Sequence, residues 1–226
     1  MQIHDVIQVA GVIDAAEAEL LVECGVRYLG FPLRLAFHAE DLTESQAASI
    51  IQALPAECHG VLITYMTDAE EVVTCCRFLG VRIVQLHGDV EVSELQRINQ
   101  LDPSLSIIKS LVVGRQSTSE LQEVMQSSSP FVDAYITDTF DPKTGATGAT
   151  GKLHDWAISR DIVQQAQHPV ILAGGLTPDN VREAIEVVGP AGVDAHTQLE
   201  DTTGRKSREK VQQFVAEAKL GFRQRR

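Results

Sequence analysis

The sequence predicts a closed (β/α)8 barrel, and two observations lead to this fold class. Short runs rich in β-branched residues recur along the chain, and amphipathic segments with helix-start signals lie between them. Strict alternation of strands and helices requires a parallel sheet with right-handed crossover connections. Eight such units in 226 residues suit a barrel of this kind. A doubly wound open sheet is the alternative, because a sequence pattern does not reveal whether the sheet closes.

Most of the predicted strands are apolar on successive residues, as expected for parallel strands buried on both faces. No linker or low-complexity segment interrupts the alternation, so we predict one domain that spans residues 1–226. The predicted strands are 6–11, 26–31, 60–65, 81–86, 106–113, 132–137, 169–175 and 192–197.

Residues that commonly begin a helix precede or open each amphipathic segment. Pro178 belongs to this set because proline is tolerated in the first turn of a helix. The predicted start signals are Asp14, Thr43, Asp68, Ser93, the run from Ser117 to Ser119, Asp155, Pro178 and Ser207.

The charge and composition of the chain exclude several classes of partner. The formal net charge is -12 at pH 7, whereas nucleic acid or an anionic membrane surface would require a basic patch. No apolar run approaches the roughly 18 residues that span a membrane, and the N-terminus lacks a signal sequence. We therefore expect a cytoplasmic protein, a monomer or a homodimer, that binds a small molecule.

The four cysteines indicate neither a metal site nor a disulfide framework. Cys24, Cys58, Cys75 and Cys76 show no CxxC or Cys/His ligand spacing. Free thiols are the usual state of cysteine in a reducing cytoplasm. We expect these side chains to pack in the core.

A glycine- and threonine-rich stretch follows the sixth predicted strand. Residues 137–156 read TDTFDPKTGATGATGKLHDW, and loop 138–153 is unusually long for a compact domain. Glycine lets the backbone approach a ligand closely, while threonine hydroxyls and backbone N–H groups suit an oxyanion. Loops after the strands form the catalytic face of a barrel, which favours a phosphate site over a flexible surface linker. The candidate phosphate-binding residues are Gly148, Thr150, Gly151 and Lys152.

The same stretch does not fit the nucleotide-binding P-loop. Five residues, rather than four, separate Gly145 from Gly151, and Leu153 follows Lys152 where a Ser or Thr must hold Mg²⁺. We therefore reject nucleotide hydrolysis as the function of this motif.

Two later strand ends carry residues of the same kind. Gly174 and Gly175 end the seventh predicted strand, and Thr197 ends the eighth. Loops after strands seven and eight are the usual phosphate site of this architecture, because N–H groups at a short helix start converge there. Close packing between strand and helix is the alternative role of the two glycines. We predict that all three residues contact a phosphate group.

Four segments carry a resemblance to a known family: VQLHGD (84–89), GATGKLHDW (148–156), ILAGGLTPDNVREAI (171–185) and PAGVD (190–194). In this order and spacing, the chain resembles the phosphoribosylanthranilate isomerase family of tryptophan biosynthesis over essentially its whole length. The resemblance implies a TIM barrel, no metal ion, no organic cofactor and a phosphorylated sugar as the substrate. It also implies an Amadori rearrangement, in which an aminoaldose opens and becomes an aminoketose. His87 belongs to the family pattern, and we expect it to contact the substrate.

The reaction implied by this resemblance needs a general acid and a general base. The family's acid is an Asp at the end of strand six, which corresponds to Asp138; a capping role for Asp138, with Asp141 as the acid, is the alternative. The family's base is a Cys at the end of strand one, where this chain has Ala10. A methyl group cannot accept a proton. Imidazole is a competent base near neutral pH, so His196 and, with less support, His38 are candidates.

Two further positions depart from the family pattern. An Arg that helps to hold the anthranilate carboxylate in the family aligns with Glu40, and Arg34 or His38 is the candidate substitute. A glycine after strand eight aligns with Gln198, whose side chain obstructs the approach of the backbone to phosphate. We interpret Asp194, on strand eight, as an interior polar residue.

The sequence therefore leaves three functions open. The first is an isomerase of phosphoribosylanthranilate with a relocated base, favoured by the whole-chain resemblance and by Asp138. The second is an enzyme that acts on a different phosphorylated sugar, favoured by the missing Cys and by Glu40. The third is a non-catalytic barrel kept for ligand binding or assembly. We expect the first.

Overall fold

The eight strands form a closed parallel barrel. The computed structural model of the protein describes residues 3–35, 40–139 and 156–225. Strands β1 to β8 hydrogen-bond in chain order, and β1 also pairs with β8. The predicted (β/α)8 barrel is confirmed, and the open-sheet alternative is wrong. The strands are β1 Val6–Ala10, β2 Tyr28–Pro32, β3 His59–Thr64, β4 Ile83–Leu86, β5 Ser106–Val113, β6 Ala134–Thr139, β7 Val170–Leu172 and β8 Gly192–Ala195.

An α-helix follows each strand, and most adjacent helices pack against one another around the sheet. None of the helices in the described ranges is long and apolar enough to cross a membrane. The helices are α1 Ala15–Glu23, α2 Glu44–Gln52, α3 Ala69–Leu79, α4 Val92–Leu101, α5 Thr118–Ser128, α6 Trp156–Gln165, α7 Val181–Val188 and α8 Arg208–Gln224. The short 3-10 helices are η1 Ser129–Phe131 and η2 Thr197–Leu199.

Helix capping follows the predicted start signals at most helices. In each confirmed case a side-chain oxygen accepts a hydrogen bond from a backbone N–H of the first turn, which satisfies a donor that the helix leaves free. The confirmed caps are Asp14, Thr43, Asp68, Ser117 and Ser207.

One predicted helix start is wrong, and one is not described. Helix α4 begins at Val92, so Ser93 lies early in the helix, as predicted, although Glu91 and not Ser93 is the residue before it. Helix α7 begins at Val181, because Thr177 and Asn180 form a hydrogen-bonded turn that contains Pro178 and delays the first helical residue. Asp155 lies outside the described residues.

The ends of two strands also differ from the prediction. Strand β6 continues to Thr139, so Asp138 lies in the strand and not in the following loop. Strand β7 already ends at Leu172, because Gly174 and Gly175 adopt φ values of 105° and 63° that a strand does not allow. As a result, Asp138 reaches the mouth of the barrel from a strand, whereas Gly174 and Gly175 reach it from a turn.

The barrel interior changes from apolar to polar toward the carboxyl ends of the strands. Alternate side chains face the interior, and on β6 the sequence of inward residues is Ala134, Ile136 and then Asp138. Gln8 on β1 and Gln85 on β4 are buried polar residues at a comparable height. The polar layer forms the floor of the site described below.

The cysteines lie in the apolar layer between the sheet and the helices. All four are buried and free. Burial raises the pKa of Cys75 to about 11 and the pKa of Cys76 to about 12, so both thiols stay protonated at neutral pH. The predicted packing role agrees with these positions.

Candidate active site

A cavity of about 550 Å³ opens at the carboxyl ends of the strands. Its size is typical of small-molecule sites. Carboxylate and imidazole groups from several strands line the cavity together with apolar side chains. Its lining includes the titratable residues His87, Asp138, Asp194, His196 and Glu200.

His87 and Asp138 form a buried pair in this cavity. The distance between His87 Nδ1 and Asp138 Oδ2 is 2.8 Å, and the two side chains are 9% and 6% exposed. The second carboxylate oxygen of Asp138 accepts a 2.8 Å hydrogen bond from the backbone N–H of Thr139. Both oxygens of Asp138 therefore have a partner, and the carboxyl group is held in one orientation.

A chain of amide side chains connects this pair to Asp194. The nitrogens His87 Nε2 and Gln85 Nε2 are 2.6 Å apart, and Gln85 Oε1 accepts a 2.8 Å bond from Gln8 Nε2. Gln8 Nε2 also donates to Asp194 Oδ1 at 3.1 Å. Burial raises the pKa of Asp194 to about 7, and the hydrogen bond from Gln8 opposes this shift.

The sequence analysis missed the part that the two glutamines play. Gln8 and Gln85 are polar residues at inward positions of otherwise apolar strands, and that alternation was the available signal. Asp194 is interior, as predicted, but it also lines the cavity and bonds to β1.

His196 lies against the backbone of Gly11, directly after Ala10. A Cβ atom placed on Gly11 would be 2.0 Å from His196 Nε2, so the imidazole occupies the space that a side chain at this position would need. Gly11 has φ 81°, a conformation that favours glycine. Ala10 and His196 line the same cavity. The structure therefore brings an imidazole close to Ala10, the residue at the end of β1.

A buried lysine compensates the carboxylate next to His196. Glu200 Oε1 lies 3.5 Å from His196 Nε2 and 2.9 Å from Lys206 Nζ. The Lys206 side chain is 1% exposed, and its Nζ also donates to Gly11 O at 3.4 Å. This pair attaches the loop after β8 to the end of β1.

The chain matches the family described as N-(5'phosphoribosyl)anthranilate (PRA) isomerase over residues 6–217. It belongs to this family. A relative from Methanosarcina mazei, named N-(5'-phosphoribosyl)anthranilate isomerase 2, is 39% identical over 96% of this chain and 95% of the relative. The resemblance found in the sequence is thus confirmed.

Solved structures with the same name share the fold. The phosphoribosyl anthranilate isomerase of Thermotoga maritima has a TM-score of 0.79 at 25% identity, covering 95% of this chain and 98% of that chain. The enzyme of Thermococcus kodakaraensis has a TM-score of 0.75 at 28% identity, covering 94% and 97% of the two chains. The match extends over nearly the whole barrel in both cases.

The predicted phosphate-binding residues of this family member fall into two groups. Gly174, Gly175 and Thr197 line the cavity at the ends of β7 and β8. Asn180 holds the glycine turn, since its Nδ2 donates to Gly175 O at 3.2 Å and its Oδ1 accepts from Thr177 N at 2.8 Å. The second group, Gly148, Thr150, Gly151 and Lys152, lies outside the described residues, as do Asp141 and His38.

Arg34 is placed differently from the other predicted site residues. Its Nε donates to Glu44 at 2.7 Å, and its backbone N–H donates to the side chain of Glu40. Arg34 is not among the side chains that line the cavity in the described part of the chain. Its predicted contact with a substrate carboxylate stays a prediction.

No group of three or more His, Cys, Asp or Glu side chains within the described ranges is arranged to hold a metal ion.

Proposed function

We propose that this protein isomerises N-(5′-phosphoribosyl)anthranilate by an Amadori rearrangement, with Asp138 as the general acid and His196 as the general base. Membership of the family and the names of the relatives support the reaction. The single observation that carries the residue assignment is that a buried carboxyl group and an imidazole next to Ala10 line one cavity.

In the first step, Asp138 gives a proton to the ring oxygen of the ribose. The bond between that oxygen and C1′ breaks, and the electron pair of the anilino nitrogen forms a Schiff base with C1′. Asp138 becomes a carboxylate in this step. The hydrogen bonds that it accepts from His87 and from Thr139 N stabilise the negative charge as it develops.

In the second step, His196 takes the proton from C2′ of the Schiff base. The electron pair of the C–H bond moves toward the nitrogen, which gives an enol-amine that becomes the aminoketose. Ala10 cannot accept a proton, and the buried thiols of Cys75 and Cys76 lie in the helix layer with raised pKa values. Glu200, compensated by Lys206, lies close enough to favour the imidazolium that forms on His196.

The phosphate of the substrate is proposed to bind at the ends of β6, β7 and β8. Successive positive φ values at Gly174 and Gly175 favour backbone N–H groups that point toward one anion. Thr197 adds a hydroxyl from the loop after β8. Gly148, Thr150, Gly151 and Lys152 are proposed to complete the site, with Lys152 supplying positive charge. A monomeric or homodimeric cytoplasmic protein remains the expectation.

The proposed activity is tested by measuring the decay of the fluorescence of phosphoribosylanthranilate that is generated in situ. Wild-type protein is expected to accelerate the decay, and Asp138→Asn is expected to lower kcat by about 10²–10⁴-fold, because the acid is lost. The matched control is Asp161→Asn, which changes an exposed Asp on α6 and is expected to retain full activity. A folded wild-type protein that binds the substrate without accelerating its decay would contradict the proposal.

A further inference from the structure

A second cavity, of about 200 Å³, lies beside the 550 Å³ cavity and is open to solvent. His87 lines both cavities. We propose that the second cavity is a covalent site for small aldehydes, in which the amine of Lys109 forms a Schiff base with the carbonyl carbon. The site goes beyond the isomerase reaction and does not depend on it. Besides Lys109, its lining includes Asp89, Val90, Glu91, Leu95, Val112 and Val124.

Lys109 carries a buried amine that is held by carbonyl oxygens rather than by a carboxylate. The residue is 7% exposed, and its Nζ donates to Gly88 O at 2.8 Å and to Ser110 O at 3.5 Å. No ion pair joins Lys109 to a carboxylate in the part of the chain that the structure describes. Lys206, the other buried lysine of the described ranges, is instead paired with Glu200. Burial without a carboxylate partner favours the neutral amine, which is the nucleophilic form of lysine.

The charges around Lys109 offset only part of the effect of burial. Asp89 and Asp138 attract the ammonium ion, but burial is the larger effect and lowers the pKa of Lys109 to about 8. The other titratable residues that line this cavity are His87 and Glu91. At pH 7.5 about a quarter of the Lys109 amine is therefore neutral, compared with about 0.1% for an ordinary lysine.

The surroundings of the amine favour a Schiff base over other adducts of lysine. A protonated Schiff base keeps one N–H to donate to Gly88 O, and it keeps the positive charge that Asp89 and Asp138 attract. Carbon dioxide would give a carbamate anion facing the same carbonyl oxygens and carboxylates, and an acyl donor would give a neutral amide. The cationic adduct is the one that these groups stabilise.

Formation of the Schiff base is balanced without an oxidant or a reductant. The lone pair of Lys109 Nζ forms a bond to the carbonyl carbon, and the π electrons of the carbonyl group move to its oxygen. That oxygen takes two protons, one from the amine nitrogen and one from solvent. It leaves as water when the nitrogen forms a double bond to carbon.

The volume of the cavity limits the aldehyde to a small molecule. A cavity of about 150 Å³ holds benzene, so one of about 200 Å³ admits an aldehyde of roughly six to eight non-hydrogen atoms. Val90, Leu95 and Val112 provide buried apolar walls, whereas Asp89 and Glu91 are exposed and acidic. This lining favours an aldehyde without negative charge.

Reductive alkylation of the wild-type protein tests the proposal. Acetaldehyde with cyanoborohydride converts each Schiff base into an N-ethyl amine, and peptide mass spectrometry measures the rate at each lysine. At pH 7.5, Lys109 is expected to react about 10-fold faster than exposed Lys219 and than buried, ion-paired Lys206. The rate at Lys109 should level off above about pH 8, whereas the rate at Lys219 continues to rise.

Two further measurements distinguish the cavity from the amine alone. Val124 is half-buried on α5 and lines the cavity, so Val124→Phe fills space that the aldehyde needs and should slow ethylation of Lys109 to near the rate of Lys219. The matched control is Val187→Phe, which changes an exposed valine on α7 and should leave the rate at Lys109 unchanged. Naphthaldehyde, a larger neutral aldehyde, should modify Lys219 but not Lys109.

Three results would overturn the proposal. The first is ethylation of Lys109 that is no faster than that of Lys219. The second is a fast reaction at Lys109 that Val124→Phe leaves unchanged, because the aldehyde then does not occupy the cavity. If Val124→Phe does not fold, equal rates at Lys109 with the two aldehydes are the third. Each readout is a mass, so the result holds whether or not the protein isomerises phosphoribosylanthranilate.

Discussion

The two sides of the cavity mouth differ in how firmly their proton-transferring groups are held. On the β4 and β6 side, the side chains of His87 and Asp138 are 9% and 6% exposed and are bonded to each other. On the β1 and β8 side, His196 and Glu200 are 29% and 21% exposed and lie 3.5 Å apart. The side that carries the proposed acid is part of the barrel interior, whereas the side that carries the proposed base depends on the loop after β8.

This difference bears on the proposed relocation of the base from β1 to the loop after β8. Interior positions of a barrel are coupled to their neighbours by close packing, so one substitution there disturbs several strands. Loops accept substitutions more easily. An imidazole from the loop after β8 lies beside the end of β1, whereas His87 and Asp138 form a pair in the barrel interior.

Removing the proposed base, His196, is expected to lower kcat more than any other substitution on this side of the cavity. His196→Gln should lower kcat by about 10²-fold or more, because glutamine cannot accept a proton from carbon. The control is His168→Gln, which changes a half-buried histidine bonded to Ser129 O away from the cavity. Steady-state kinetics with phosphoribosylanthranilate measures both.

Adding Ala10→Cys to the His196→Gln variant tests whether a thiol at the end of β1 can replace the imidazole. A thiol restored at the end of β1 is expected to recover part of the lost kcat, since it lines the same cavity. If His196→Gln alone retains wild-type kcat, the base is a different group and the relocation to β8 is wrong.

Displacing the imidazole of His196 without removing it should lower kcat by an intermediate amount. Gly11→Ala places a Cβ 2.0 Å from His196 Nε2 and is expected to reduce kcat by roughly 10-fold to 10²-fold. The positive φ costs about 1–2 kcal/mol in addition. Gly80→Ala is a matched control, because its φ of 76° is similar but its Cβ would meet no atom within 4 Å. Equal kinetics in the two variants would contradict the close contact.

Asp194, which is buried at the bottom of the cavity, is expected to make the free energy of unfolding depend on pH. The unfolded chain ionises Asp194 from about pH 4 upward. In the folded state its pKa is raised to about 7, so the stabilisation is complete below about pH 4 and is lost as the pH rises through about 7.

Asp194→Asn should remove this dependence. Its free energy of unfolding relative to wild type is expected to increase by on the order of 2–3 kcal/mol between pH 5 and pH 8. Urea unfolding at both pH values measures the change, with exposed Asp161→Asn as the control. A difference that stays constant with pH would show that Asp194 is not held in its protonated form.

The smallest effect is expected at Arg34. Its bond to Glu44 joins side chains that are 42% and 31% exposed, and such a pair contributes less than about 1 kcal/mol. Arg34→Gln should therefore leave unfolding and the KM for phosphoribosylanthranilate nearly unchanged. A KM that rises about 10-fold, equivalent to roughly 1.4 kcal/mol, would instead place Arg34 at the substrate carboxylate.

Sequence patterns predicted the architecture well because they reflect local physics. Buried parallel strands need successive apolar residues, and helices need capping residues such as Asp14 and Ser207. The errors have local causes too. Pro178 is compatible with a first turn, but the bond between Asn180 and Thr177 N closes a separate turn before the helix begins.

The sequence by itself determined the barrel, the family and the strand end that carries Asp138. Only the tertiary structure decided which side chains meet. Gln8 bonds to Asp194, 186 positions away, because closure of the barrel pairs β1 with β8. The same closure brings His196 onto Gly11. Periodicity records which face of a strand is buried, but contacts across the closure depend on strand register, which no local pattern specifies.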